Sequence, residues 1–436
     1  MDVLTERRRH RRPHPHLPAH APGTSVRALG TGVITGAADD DPSAIGTYAS
    51  AGAAFGPAIL WAAPVMFPMM AVTLYLAAKV GKVTGLGLAA VLRRHYPRGL
   101  LFVVAGLMLV GNTIEAAADL GGLVAGLHLL LPVPILPAIV GVAALILAVQ
   151  FFGSYTWIRD VFRWLALALL AYVAAGVLAH PNWGEIARAT VLPSFHWTRA
   201  SLAALVAIIG TAGSSYLFGW QASQQVEEEI SLGRRRLSDR SDTTETALKA
   251  MAWDVVLGML FSAVIMFFIL LSTATTLYPM RWGDIHTAAQ AAQALAPLAG
   301  RAAGALFAVG IIAVGFLAIP VMSVGAAYIV CDAMEWKSGL STSRHEAPQF
   351  HWVIGAVTVA AVAINFLGVN PIHALILAGL VQGFLAPGMI ILLLLITGNR
   401  AVMGRWTNSR PVAALGWLSA AATAAAALGL VALVVF

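Results

Sequence analysis

The sequence predicts an all-α protein that crosses a membrane many times, and three observations predict it. Of 436 residues, 59% are hydrophobic and only 11% charged, against roughly 25% charged in a soluble domain whose surface must meet water. Apolar runs of about 18–25 residues recur along the chain, long enough for a helix to cross a ~30 Å hydrocarbon core. Backbone groups find no water there, so a span is either a helix or a strand of a closed barrel. These runs are too long and too continuous for barrel strands of about ten alternating residues. The third observation is charge placement, which sorts to one side of the resulting topology.

Residues 1–26 form a Pro-rich basic tail carrying His10, His14, His16 and His20. No compact apolar segment with a small-residue cleavage site follows it, so it is read as a cytoplasmic tail rather than a cleaved signal. Its histidine spacing matches no zinc pattern. Eleven spans are predicted near 27–55, 57–78, 99–130, 132–152, 160–179, 198–225, 247–278, 296–330, 350–368, 371–397 and 411–434. With the N-terminus cytoplasmic, all but four of the 27 Lys and Arg lie on the inner side; Arg188, Arg199, Arg281 and Arg301 are the exceptions. That is the positive-inside pattern, and an error of one span in the middle would destroy it. It places the C-terminus outside, with a bacterial inner membrane as the simplest setting. Trp61, Trp157, Trp183, Trp197 and Trp282 fall near span ends, as interfacial anchors do. The one cysteine, Cys331, excludes an internal disulfide or a thiolate cluster. The surplus of seven positive charges reads as orientation rather than nucleic-acid binding.

Two spans carry breakers and polar groups at mid-membrane. The first contains Gly36-Ala37-Ala38-Asp39-Asp40-Asp41-Pro42-Ser43-Ala44, the sixth Gly210-Thr211-Ala212-Gly213-Ser214-Ser215-Tyr216. They are corresponding members of two five-helix halves, and an odd number of spans per half sets the halves in opposite orientations. Paired interrupted helices of this kind point to a mid-membrane substrate site, where unwound backbone frees carbonyl oxygens.

Three aspartates at such a break are expensive, at roughly 2.5–3.5 kcal/mol for one Asp at a helix centre. A bound divalent cation removes that penalty. Asp41, beside Pro42, is the expected ligand, with Asp39 and Asp40 expected as charges at a water-filled mouth. In the third span Glu115 and Asp119 lie four apart and share a helix face. That face is expected to turn inward and mark an ion path; for Glu115 an interfacial position or an arginine partner is the other reading.

From Gly30 to Gly56, ending Ala51-Gly52-Ala53-Ala54-Phe55-Gly56, the chain resembles the first helix of Nramp divalent-metal transporters. In that family the break reads Asp-Pro-Gly-Asn before a similar Ala-Gly-x-x-Phe-Gly ending. Asp119-Leu120 is similar to the family's third helix, and the sixth-helix break falls where the family has Met-Pro-His. The resemblance extends over about residues 27–410. It implies a LeuT-like fold: two inverted five-helix repeats, about 27–179 and 198–397 within a ten-helix core to residue 400, plus an eleventh helix at 411–434.

The resemblance also implies a site. The family's metal-binding aspartate falls on Asp41 and its asparagine on Ala44, which has no side-chain oxygen. The methionine falls on Ser214, the proline on Ser215 and the histidine on Tyr216, while the family's backbone carbonyl ligands fall on Ala38 and Thr211. The proton-pathway acids fall on Asn112, Asp119 and Gly122, and the tenth-helix glutamine on Gly379, with Gln382 about one turn away. Gln221 continues the sixth helix toward the ion's waters. Replacing a thioether by Ser214 removes the soft ligand suited to transition metals, and oxygen ligands suit Mg²⁺, Ca²⁺ and Mn²⁺. Fewer direct ligands suit Mg²⁺, which keeps several waters. The stretch Ser214 to Gln221 accordingly looks more like the Nramp-related Mg/Mn-type branch than the Met-Pro-His branch.

The expectation is therefore transport of Mn²⁺ or Mg²⁺ by alternating access, without obligatory proton coupling. The cation is cargo and no cofactor is expected; the partners are the ion and the bilayer, with no nucleic acid and no obligate protein. The alternative is a cation-coupled carrier of a small organic substrate, such as an amino acid or amine, on the same fold. An acidic break would repel a substrate carboxylate, though not a cationic substrate. An intramembrane metalloprotease would need a motif such as His-Glu-x-x-His, which is absent, so the chain is not expected to be an enzyme.

Overall fold

The computed structural model describes residues 31–153, 155–192, 198–231, 245–279, 287–295, 301–340, 342–367 and 371–435. The basic tail and the Arg234-Arg235-Arg236 loop lie outside the described residues. The regular structure described is entirely helical: α1 Thr31–Asp39, α2 Pro42–Phe55, α3 Ala62–Thr84, α4 Leu88–His95, α5 Arg98–Leu130 and α6 Ile135–Phe152, then α7 Tyr155–Ala168, α8 Leu170–Leu178, α9 Trp183–Val191, α10 Arg199–Thr211, α11 Tyr216–Ser231 and α12 Glu245–Thr276. After these come α13 Ala288–Leu295, α14 Arg301–Met334, α15 Pro348–Phe366, α16 Pro371–Gly398, the short α17 Arg400–Met403 and α18 Arg410–Val435. Among the described residues, ten helical segments are long and apolar enough to cross a membrane. The first span, split into α1 and α2, completes the eleven expected.

Both breaks have local causes. Pro42 has no N–H to continue the ladder, and its ring excludes the carbonyl four residues back. It also drives the preceding residue out of the helical region, and Asp41 is extended at φ −61°, ψ 168°. Asp41 then becomes the N-cap of α2, its carboxylate accepting from the Ala44 amide, with Pro42 at the first helical position. In the sixth span the helix stops after Thr211 and restarts at Tyr216. Gly213 supplies the φ of +77° that the reversal requires.

Packing puts the breaks at the centre. α5 runs along α14 more extensively than along any other helix, and α1 lies against α12. The α1–α12 crossing is a contact of glycines. A Cβ on Gly36 would sit 2.1 Å from the Gly258 carbonyl oxygen, and one on Gly258 would sit 2.0 Å from that of Gly32. Gly32 and Gly36 make the small-x-x-x-small spacing that lets membrane helices approach backbone to backbone. Asp254 fastens the crossing by accepting from the Gly32 amide at 2.8 Å.

Large apolar side chains such as Phe102, Val103 and Val110 of α5, Trp352 of α15 and Leu428 of α18 are exposed. Exposed apolar side chains in this number suit lipid rather than water. Trp157 and Trp183 are half exposed; Trp197 and Trp282 lie outside the described residues.

Candidate metal centre

The two breaks face one another. The Tyr216 hydroxyl, at the start of α11, donates to the Ala38 carbonyl and lies 3.1 Å from Asp41 Oδ2. The Ser214 amide donates to Asp39 Oδ1 at 3.2 Å, and Thr35 donates to Gln221 Oε1 at 2.6 Å. Both halves of the first span are therefore tied to the second break and α11.

Asp41 Oδ1 accepts from the Ser43 hydroxyl at 2.7 Å and from the Ala44 amide at 2.8 Å. Both of that oxygen's acceptor positions are used, whereas Oδ2 keeps one free beside Tyr216. Ser43 also lies 2.6 Å from Glu115 Oε1. A hydroxyl has one proton and serves one acceptor at a time. The second short contact therefore calls for a proton on one of the two acids, which then donates to the Ser43 oxygen.

Asp41, Glu115 and Asp119 each offer an oxygen, and these oxygens all lie within 4.8 Å of one another. The three residues are 1%, 2% and 0% exposed. Among the described residues, Glu115 Oε2 and both Asp119 oxygens have no hydrogen-bond partner. Among the described residues no lysine, arginine or histidine pairs with any of the three. At an effective dielectric of about 20, two unit charges about 5 Å apart repel by ~3 kcal/mol. Three fully charged carboxylates would thus oppose folding by about 10 kcal/mol, comparable with the whole stability of a typical domain. Such a group persists by sharing protons or by holding a metal cation, and carboxylate oxygens select hard cations.

The residues expected from the sequence are partly brought together. Asp41 and Asp119 meet, and Tyr216 and the Ala38 carbonyl stand beside Asp41. Ala44 contributes its amide alone. Ser214 and Thr211 are engaged with each other, the Ser214 hydroxyl donating to the Thr211 carbonyl at 3.0 Å. Gln382 receives the Ser215 hydroxyl, joining α16 to the second break. Asn112 bonds the Met322 carbonyl at 3.1 Å and holds α5 to α14. At Gly122 an added Cβ would meet Pro42 at 2.9 Å, so the small residue admits the break of the first span. The surroundings of Gly379 lie outside the described residues.

One expectation is corrected. Asp39 and Asp40 are not charges at a water-filled mouth: both are 0% exposed. The Ser214 amide and Ser262 close over Asp39, the latter at 3.4 Å. Sequence reasoning placed Glu115 with Asp119 on an inward face but not among the metal ligands, and passed over Ser43. Glu115 had a signal, one turn before Asp119 on the same face. Ser43, two residues after a capping aspartate, had only its short hydroxyl.

The Nramp family model, described as natural resistance-associated macrophage protein-like, matches residues 32–433. The chain is 28% identical over 403 residues to the divalent metal cation transporter MntH of Mycobacterium tuberculosis, covering 91% of this chain and 89% of that one. It is 26% identical to the MntH of Bacillus subtilis, over 90% and 88% of the two chains. The Eremococcus coleocola manganese transporter, solved with an aromatic bis-isothiourea substituted compound, superposes with a TM-score of 0.72 at 19% identity, covering 94% and 88%. The architecture is the LeuT-like one of such transporters. A family model that spans nearly the whole described chain and the shared architecture settle the classification: this integral membrane protein belongs to the Nramp family.

Proposed function

We propose that the protein carries Mn²⁺ or Mg²⁺ across the membrane by alternating access, binding the ion between the breaks of the first and sixth spans. One observation carries this reading: three buried carboxylates, Asp41, Glu115 and Asp119, gathered within 4.8 Å with no basic partner among the described residues. The relatives named as divalent metal cation transporters support it, and they are transporters rather than enzymes. The ion is therefore cargo, not a resident cofactor.

Asp41 Oδ2 and the open oxygens of Glu115 and Asp119 supply negative charge, and the carbonyls of Ala38 and Thr211 lie at the ends of α1 and α10. Helix C-termini carry partial negative charge and so favour the cation. The all-oxygen set, with Ser214 in place of a thioether, favours a hard ion. Gln221 and Gln382, both buried, orient the ion's remaining waters. The Tyr216 hydroxyl contacts both the Ala38 carbonyl and Asp41 Oδ2, so it competes with the ion for these two oxygens. Rocking of the two helical halves then exposes the ion to the other face.

Proton coupling is weak in this reading, because Asn112, Gly122 and Tyr216 stand where the family carries titrating groups. Purified protein in liposomes, assayed for Mn²⁺, Mg²⁺ and Ca²⁺ flux with internal pH recorded, tests both parts. Mn²⁺ or Mg²⁺ entry with little acidification is expected. Exclusion of both ions, or acidification in proportion to metal entry, overturns the corresponding part.

A further inference from the structure

Where the tenth span ends and the eleventh begins, the chain carries a basic cluster with no acid to balance it. Arg400 opens α17, Arg405 follows that helix and Arg410 opens α18; all three are exposed. Lys79 of α3 is tied to the same loop from within. It is 4% exposed, and its ammonium donates to Asn408 Oδ1 at 3.0 Å and lies 5.7 Å from the centre of the Tyr75 ring. Asn408 in turn donates to Thr397 Oγ1 of α16 at 2.7 Å, which fixes the loop between Arg405 and Arg410. The Arg405 guanidinium stands 4.7 Å over the Trp406 ring, and Trp406 packs against the core.

Buried charge is normally paired, and other basic side chains here are: Lys82 with Glu229, Arg93 with Glu335, Arg163 with Asp160 and Lys249 with Glu245. This cluster has no such partner to draw on. No Asp or Glu follows Glu346 in the sequence. The helices on which α17 and α18 chiefly pack, α3, α10 and α16, contain none either. The complementary ligand is therefore an anion, and the surface of α18 says of what kind. Arg410, Ala414, Trp417, Leu418 and Ala421 are all exposed and recur at helical spacing on one face. A basic head thus leads into an apolar strip. A lipid phosphate on the arginines has a place there for its acyl chains, whereas a free phosphate has no use for the strip.

We propose that Arg400, Arg405, Arg410 and Lys79 hold the headgroup of an anionic phospholipid whose acyl chains lie along α18. The exposed arginines contact the phosphate, as guanidinium forks suit its oxygens. Lys79 adds charge from within and positions the loop through Asn408. Basic clusters beside a membrane span attract anionic headgroups, and here the attraction is local because the neighbouring helices carry no acid. The inference does not depend on which ion is transported.

Native mass spectrometry of the purified full chain in detergent, titrated with phosphatidylglycerol or phosphatidylcholine, tests it, with gel filtration confirming that each variant is folded. Wild type is expected to hold one phosphatidylglycerol about tenfold more tightly than phosphatidylcholine. Arg405→Gln/Arg410→Gln should abolish that preference, and Lys79→Met should reduce it severalfold. Lys337→Gln/Arg344→Gln removes the same charge from the exposed loop after α14 and should leave the preference intact. Absence of a preference in wild type overturns the proposal, as does an unchanged preference in Arg405→Gln/Arg410→Gln. Equal loss in Lys337→Gln/Arg344→Gln makes the attraction a matter of net charge and also overturns it. So does displacement of the lipid by inorganic phosphate, which would make the ligand a soluble anion. An unchanged preference in folded Lys79→Met overturns the part given to Lys79; if that variant does not fold, the exposed arginine pair decides.

Discussion

Replacing Glu115 by glutamine separates the charge of the acidic centre from its shape. Glutamine keeps an oxygen for Ser43, which lies 2.6 Å from the present carboxylate, and removes one negative charge. Two carboxylates, Asp41 and Asp119, have oxygens within 4.8 Å of it. At ~3 kcal/mol per pair, up to about 6 kcal/mol of repulsion disappears from the cation-free protein. Shared protons lower that severalfold, leaving a gain of about 1–2 kcal/mol. The cation-bound protein changes the other way, losing a charged ligand for a neutral one. Truncating one partner of a buried charge pair costs about 2–5 kcal/mol; the retained amide oxygen keeps the loss near the lower end. Since each 1.4 kcal/mol is about tenfold, affinity should fall roughly 10- to 100-fold. Differential scanning fluorimetry in chelator and across a Mn²⁺ or Mg²⁺ titration reads both effects. Glu115→Gln should melt higher than wild type without metal and need far more metal to gain further stability. Equal melting in chelator together with an unchanged metal midpoint refutes the placement of Glu115 in the centre.

Gly36→Val should abolish the monodisperse gel-filtration peak of the detergent-solubilised protein, because even a Cβ there sits 2.1 Å from the Gly258 carbonyl; normal folding would mean that α1 and α12 do not cross at these glycines. Tyr216→Phe removes the hydroxyl that contacts Ala38 and Asp41; at about 1 kcal/mol for a net hydrogen bond, metal affinity by calorimetry should rise severalfold, and a fall would make that hydroxyl a ligand rather than a competitor. Lys82 and Glu229 meet at 2.6 Å with side chains 11% and 5% exposed, so Lys82→Ala should cost up to about 3 kcal/mol of stability. Pairing it with Glu229→Gln should restore part of the loss, and strict additivity in that double-mutant cycle would show that the pair is uncoupled.

The sequence made the architecture readable because its signals are local. Span lengths follow from bilayer thickness, and Pro42 and Gly213 mark breaks through backbone geometry alone. Asp41 was readable for the same reason, as the residue before a proline at a helix restart. What escaped depends on contacts between distant segments. That Asp39 and Asp40 are sealed from water is decided by Ser214 and Ser262, more than 170 positions away in the chain. Glu115 enters the centre through Ser43, 72 residues earlier, across a helix interface. The Ser214 hydroxyl turns back to Thr211, a local bond that any serine three residues after a helix end can make, and its oxygen keeps its lone pairs. The resemblance supplied positions, and the packing supplied their neighbours.

Divalent-cation uptake into liposomes by wild type and Asp41→Ala, at matched protein loading, tests the central claim most directly. Asp41 caps α2, faces Tyr216 and shares the centre with Glu115 and Asp119. Uptake of Mn²⁺ or Mg²⁺ by wild type and its loss in a folded Asp41→Ala protein is the predicted result. Equal uptake by the two proteins would contradict it.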